Sequence, residues 1–452
     1  MKRYRWLLGC CLFLSIGMLW AADEPDLRML QQKAAQSRDM EGYVGVCKYL
    51  YQTEENPELL LLYADSIHQL ATKSKKPEQL VEYYIWASEG NFIKGDFQQG
   101  YALKRKAIAL AEKAGLKFAI SQSCCDMGYY CNVDARYDSA RYYFRKGLEA
   151  GEDLSEAGEA CRTMLTNYAS SFLFEGKTDS ALVYTIRASE RSAADKDTAM
   201  LIENLNQLGT IYRRKKDLEN CIANFEQALH LCELRGNHNA VAFIYGNIAT
   251  AYCDWNRPGD AIPFSEKAVE YALKTGNKRR IGTCYVNLGA IQTRLVQMRA
   301  EGIATLLKAI PILEEVNDRR LLCDAYNYLV NAYRMDGNLN QAMYYLQKLD
   351  KLAHEMQTDA ERFRYYQAKA GLLQESKKYT EAIIYYRRII DMLRSGYKDA
   401  RDYEHYKRLA ECYLAVNNSS QAYEYLTQAY ALRDSAFHTE QTEQLSEYSV
   451  KY

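Results

Sequence analysis

The chain is 452 residues long and carries 58 Lys plus Arg against 58 Asp plus Glu, a net charge of zero at neutral pH. That length exceeds what one globular core supports, so several domains or a repeat array is expected, and the balanced charge supplies no long-range field toward nucleic-acid phosphate. With only 6 Pro and 24 Gly and no Pro/Gly/Ser-rich linker, one continuous array is the expected form.

Residues 1–22 have the order of a secretory signal peptide. Lys2, Arg3 and Arg5 precede the apolar run "WLLGCCLFLSIGMLW", and Ala21 and Ala22 stand at the cut. The large Leu19 or Trp20 before the cut leaves an uncleaved anchor as the alternative, although an apolar run of roughly 17 residues is short for a membrane span. An N-terminal capping helix is expected over 23–40, near Leu27 to Gln36. A repeat array follows over 41–434. Residues 435–452 then carry Leu445, Tyr448 and Tyr452 at helical spacing, as a C-terminal helix that either caps the array or is a truncated connector.

Within the array, Leu208, Gly209 and Tyr212 form one apolar helical pattern and Cys221, Phe225 and Ala228 a second, with "RRKKD" between them. The small residue opening the second pattern recurs as Ala140, Ala181, Cys221, Ala261, Gly302, Ala342, Ala382 and Ala422, in steps of 40 or 41. A period of this length implies stacked helix pairs. Two antiparallel helices cross closely only where side chains are small, and aromatics fill the layer between pairs. Tyr212, Tyr245, Tyr252, Tyr285, Tyr326, Tyr333, Tyr366, Tyr406 and Tyr413 recur in phase, which accounts for much of the excess of 39 Tyr over 12 Phe.

Chemistry-bearing motifs are sparse. Arg213 to Lys216 fall where a first helix runs into its turn, so the basic run is read as a solvated helix end. "GKT" at 176–178 lacks the earlier Gly of a phosphate-binding loop, and "DWNRPGD" lacks the ligand cadence of a calcium loop. The six His (68, 230, 238, 354, 405 and 438) form no HExxH. The Cys after residue 22 form no CxxC and are read as small buried hydrophobes. No catalytic residue, metal or cofactor is expected, and the chain is read as not an enzyme.

"NQLGTIY", "GNIATAY" and "VNLGAIQ", followed by "CIANFEQAL" and "AIPFSEKAV", resemble the two helices of the tetratricopeptide repeat family, from about Val81 to Arg433 with a weaker copy over Glu41 to Thr72. The resemblance implies an all-α, right-handed superhelical solenoid of about ten antiparallel helix pairs. The 40-residue spacing is similar to the longer repeats of kinesin light chains and bacterial peptide-sensing regulators, and the whole resembles exported ectodomains of Bacteroides-type membrane regulators. Six residues beyond the common 34 add roughly 9 Å of helix per pair.

In that family the first helix of each pair lines a concave groove that grips extended partner segments. The resemblance therefore implies a ligand-binding face carrying Asn167, Gln207, Asn247, Asn287 and Asn327. Asn327 sits one position early relative to Leu329, which leaves Asn331 as the other successor. One amide per repeat offers a donor and an acceptor to successive peptide groups. Arg213, Arg214, Arg294 and Arg334, near the inner ends of first helices, point to an acidic or carboxylate-bearing protein or peptide ligand and not to nucleic acid. The expected function is a non-enzymatic binding scaffold of the cell envelope, exported and either periplasmic or periplasm-facing on the inner membrane. Membrane association would come through an uncleaved signal or a further C-terminal segment. The alternative is the sensory ectodomain of a membrane-bound transcriptional regulator or histidine kinase whose membrane and signalling parts are not in this chain.

Overall fold

The computed structural model describes residues 27–434 apart from 54–55, 357, 398 and 400–401. The expected signal peptide at 1–22 and the expected helix at 435–452 lie outside the described residues. Two compact units divide the chain, one ending at Asn247 and the other beginning at Ile248.

The first unit holds α1 (Leu27–Ser37), α2 (Met40–Thr53), α3 (Pro57–Ser74), α4 (Pro77–Lys94), α5 (Phe97–Ala114) and α6 (Lys117–Val133). It continues with α7 (Tyr137–Gly151), α8 (Gly158–Phe174), α9 (Thr178–Ala194), α10 (Thr198–Arg214) and α11 (Leu218–Leu234). The boundary falls inside α12 (His238–Asp254). The second unit holds α13 (Pro258–Thr275), α14 (Lys278–Arg294), α15 (Arg299–Glu315), α16 (Arg319–Met335) and α17 (Leu339–Leu352). After these come α18 (Asp359–Glu375), α19 (Tyr379–Arg394), α20 (Asp402–Ala415) and α21 (419–434). Within each unit consecutive helices pack against one another, and among the described residues there is no strand. The fold is all-α, built of paired helices at the spacing read from the sequence.

The ends of these helices explain the low Gly and Pro content. Many of the turns place one residue in the left-handed region, at a spacing of about 20 residues. Gly95, Gly115, Gly176, Gly236, Gly276 and Gly337 do so without a Cβ penalty, whereas Ala135, Lys196, Lys216, Asn256, Asn317, Lys377 and Asn417 do so as L-residues. Asp96, Asp197, Asp217 and Asp318 then cap the following helix, each accepting a backbone N–H three residues on at 3.1 Å. Lys216 and Asp217 are thus a turn and its cap, and "RRKKD" is the end of α10 and the start of α11.

The small residues that set the period, Ala140, Ala181, Cys221, Ala261, Gly302, Ala342, Ala382 and Ala422, are all buried, each four residues into its second helix. Larger side chains one turn on meet glycines of the first helix. A Cβ at Gly128 would stand 2.3 Å from the ring of Phe144, at Gly209 2.6 Å from Phe225, and at Gly289 2.7 Å from Leu306. The recurrent aromatics lie ring on ring between the two helices of a pair: Phe172 on Tyr184 at 5.4 Å, Tyr252 on Phe264 at 5.3 Å, and Tyr333 on Tyr345 and Tyr413 on Tyr425 at 5.7 Å each, all within 14° of parallel. In α14–α15 the same place is taken by Gln292 and Thr305, joined by a 2.8 Å hydrogen bond.

The cysteines follow their expected role. Of those among the described residues, all are free thiols and all but the half-buried Cys253 are buried. Burial pushes the Cys47 thiol up to about 12 and the Cys284 thiol to about 11, so neither is a ready nucleophile.

Candidate ligand-binding face

First helices of neighbouring repeats touch directly, α6 with α8 and α8 with α10 in the first unit, α14 with α16 and α16 with α18 in the second. The tenth residue of successive first helices gives a column in sequence register: Asp126 in α6, Asn167 in α8, Gln207 in α10, Asn247 in α12 and Asn287 in α14. The turn before α16 is one residue longer in phase, so the column continues through Tyr328, with Asn327 just before it and Asn331 three residues after.

Two of the amides, Gln207 and Asn247, bond to neighbouring repeats. Asn167 is 2% exposed, and its backbone carbonyl accepts a 3.0 Å hydrogen bond from Asn132 Nδ2. Gln207 Nε2 donates to Ser170 Oγ at 2.7 Å while its Oε1 accepts from Thr185 Oγ1 at 3.2 Å. Asn247 Nδ2 donates to Asn206 Oδ1 at 2.7 Å, linking α12 to α10. In α16, Asn331 Nδ2 donates to the carbonyl of the buried Asn327 at 3.1 Å. Asn287 is the member of the column whose side chain faces solvent.

The arginines divide in the same way. Arg213 and Arg214 end α10, and Arg214 Nη1 donates to the Leu173 carbonyl at 2.8 Å. Arg334 pairs with Glu375 of α18, and its Nε is buried without an acceptor. Arg294 is exposed at the end of α14.

Two charged clusters escaped the sequence reading. In the second unit, Arg364 of α18 reaches Asp324 of α16, Nη2 to Oδ1 at 2.8 Å, with Arg320 one turn before at 4.0 Å. Burial pushes the Asp324 carboxyl up, against the pull of Arg364 and Arg320. Tyr328 stands a turn further along α16. Burial and then Asp324 push its phenol up, opposed by Arg364 and Arg294.

In the first unit, Lys104 of α5 is fully buried and paired with both Glu89 of α4 and Asp126 of α6, the latter at 3.0 Å. Tyr130 donates its hydroxyl to Glu89 at 2.6 Å. Burial disfavours the Lys104 charge, but Asp126 and Glu89 outweigh it and hold the ammonium above its ordinary value. Burial pushes the Glu89 carboxyl up. Lys104 occupies the eighth position of a second helix, where other repeats place Phe144, Phe225 and Leu306. A lysine at an apolar position was the available signal.

Among the described residues no helix is long and apolar enough to cross a membrane. One tetratricopeptide repeat family model matches residues 200–274, spanning α10 to α13, and another matches 363–392, in α18 and α19. No curated protein matches the chain by sequence. The Signal Transduction ATPase with Numerous Domains protein with a tetratricopeptide repeat sensor from Pyrococcus horikoshii is similar in structure, at 14% identity and a TM-score of 0.55 over 93% of this chain and 56% of that one. Yeast Tom70 is similar at 16% identity and a TM-score of 0.50, over 82% of this chain and 70% of its own. At these identities the likeness is one of fold.

Proposed function

From a framework of tetratricopeptide repeats, we propose that this chain is a non-enzymatic scaffold that binds an extended protein or peptide segment along the first helices of its second unit. The observation that carries this reading is the solvent-facing polar set of that unit: Asn287 and Arg294 of α14 are exposed, and Arg320 and Arg364 stand on neighbouring first helices. Asn167 and Gln207 belong to the first unit, where Asn167 is buried and Gln207 ties its helix to the preceding repeat, so in this reading the exposed groups of the second unit touch the partner. Asn331 bonds to Asn327 within α16 and Arg334 borders the face, whereas Arg213, Arg214 and Asn247 belong to the first unit.

One net hydrogen bond contributes about 0.5–1.5 kcal/mol, so amide contacts alone do not make tight binding and side-chain pockets supply the remainder. Once a partner is captured, Asn287→Ala is expected to weaken it roughly 2- to 10-fold at any salt concentration. Arg294→Ala is expected to weaken it at low ionic strength and to matter less at high ionic strength, because salt screens an exposed charge. Isothermal titration at two salt concentrations checks both, and full affinity in the double variant would move the binding surface elsewhere.

The cell-envelope location rests on the signal-like order of residues 1–22, and N-terminal sequencing of the fractionated protein is expected to read from Ala22 or Asp23. An intact Met1 in a cytosolic fraction would defeat it. The reading as a sensory ectodomain of a membrane-bound transcriptional regulator or histidine kinase is supported by the helical spacing of Leu445, Tyr448 and Tyr452. Reading the gene beyond the codon for Tyr452 separates it from the scaffold.

A further inference from the structure

On α16, Arg320, Asp324 and Tyr328 follow one another at four-residue intervals and so share a helix face, and Arg364 of α18 closes on the middle one. The side chains are unequally wet. Asp324 is 16% exposed, whereas Arg364 is 40% and Arg320 53% exposed. The acid is sunk between two guanidiniums that still look out. Each guanidinium has five N–H donors in a fixed fork. Arg364 spends one at hydrogen-bond distance on Asp324, and Arg320 stands at ion-pair distance. Arg294 contributes a third cation to the field at Tyr328, and Glu361 adds a second carboxylate beside Arg364. The local sum is three cations against two anions, on a face that Asn287 and Arg294 carry into solvent.

We propose that Arg320 and Arg364 form a subsite for a side-chain carboxylate of the bound segment, and that Asp324 is its internal occupant, competing with that carboxylate for the same donors. The proposal rests on the first-helix face of the second unit being the binding surface, and it names the partner chemistry there: an extended segment with acidic side chains. Asp324 serves specificity, because a neutral segment recovers nothing for disturbing the Asp324–Arg364 pair, while an acidic one replaces the same charge-assisted hydrogen bonds. It also keeps the partly buried Arg364 paired while the face is empty.

The test uses the full chain and fluorescent extended peptides alternating Glu with Gly or Gln with Gly, followed by anisotropy at low and high salt. Asp324→Asn keeps the side-chain size and removes the competing charge. It is expected to bind the Glu peptide roughly tenfold tighter than the native chain, with a steeper salt dependence and no gain for the Gln peptide. Arg364→Gln introduced into Asp324→Asn is expected to abolish the gain. Circular dichroism melts of each variant confirm the fold, and Arg320→Gln in the same background provides a second route should the first double variant unfold. No gain for the Glu peptide, or an equal gain for both peptides, overturns the proposal. A gain in Asp324→Asn with partner crosslinks mapping away from Asn287 would leave the subsite standing and sink the wider reading. Crosslinks at Asn287 without the gain would do the reverse.

Discussion

Lys104→Ala is expected to destabilise the first unit by about 3–5 kcal/mol at neutral pH, the usual cost of removing one partner from a buried charge pair. Glu89 and Asp126 would face one another and the Tyr130 hydroxyl with no cation between them. The deficit is expected to shrink on acidification. Glu89 already has a carboxyl raised by burial, and loss of Lys104 raises it further. The folded state then binds protons at a pH where the unfolded chain does not, so stability grows as pH falls toward the ordinary glutamate value and is lost as pH rises through the folded one. Urea unfolding at about pH 8 and about pH 5 reads this as two midpoints drawing together with those of the native chain. Because Phe144, Phe225 and Leu306 fill the equivalent place in other repeats, Lys104→Leu combined with Glu89→Gln is expected to recover most of the loss. A Lys104→Ala midpoint equal to the native one would show that the triad adds nothing.

Gly209→Leu and Gly289→Leu are each expected to cost about 1–3 kcal/mol through overpacking. The two sites differ in how they fail. The three atoms nearest a Cβ at Gly209 all belong to the ring of Phe225, the first at 2.6 Å, whereas one at Gly289 meets Leu306 at 2.7 Å and the backbone oxygen of Gly302 at 3.0 Å. Gly209→Ala should therefore be rescued by Phe225→Leu, while Gly289→Ala should not be rescued by trimming Leu306, because a backbone oxygen does not rotate away. Denaturant midpoints of the four variants decide this, and an unchanged midpoint for both Leu variants would remove these glycines from the helix crossing.

The period was legible because crossing geometry demands small residues at fixed places, and Ala140 through Ala422 supply them without interruption. The phase of the tyrosines was legible for the same reason, but the rings were expected between pairs, and Tyr252, Tyr333 and Tyr413 instead stack on the second helix of their own pair. The turn at Arg213 to Lys216 was legible as a helix end, although Lys196, Lys216 and Lys377 adopt a backbone conformation that sequence patterns assign to Gly or Asn. Asn167, Gln207, Asn247 and Asn287 each take the tenth place of their first helix, and an extra residue before α16 gives that place to Tyr328. What periodicity cannot give is partnership. Lys104 finds Glu89 15 residues away and Asp126 22 away, and Arg364 finds Asp324 across 40. Nothing local marks such pairs, because the closing of a helix pair and the stacking of one repeat on the next create them. The same stacking uses Gln207 and Asn247 for bonds between helices, which leaves Asn287 facing solvent.

The most direct test of binding along first helices is photo-crosslinking in the protein's native cells, with a benzophenone amino acid at position 287 on α14 or at position 308 on α15. Asn287 and Lys308 are both exposed, on the first and second helix of one pair. Covalent partner adducts from position 287 with none from position 308 are the expected result. Adducts from position 308 with none from 287 would contradict the account.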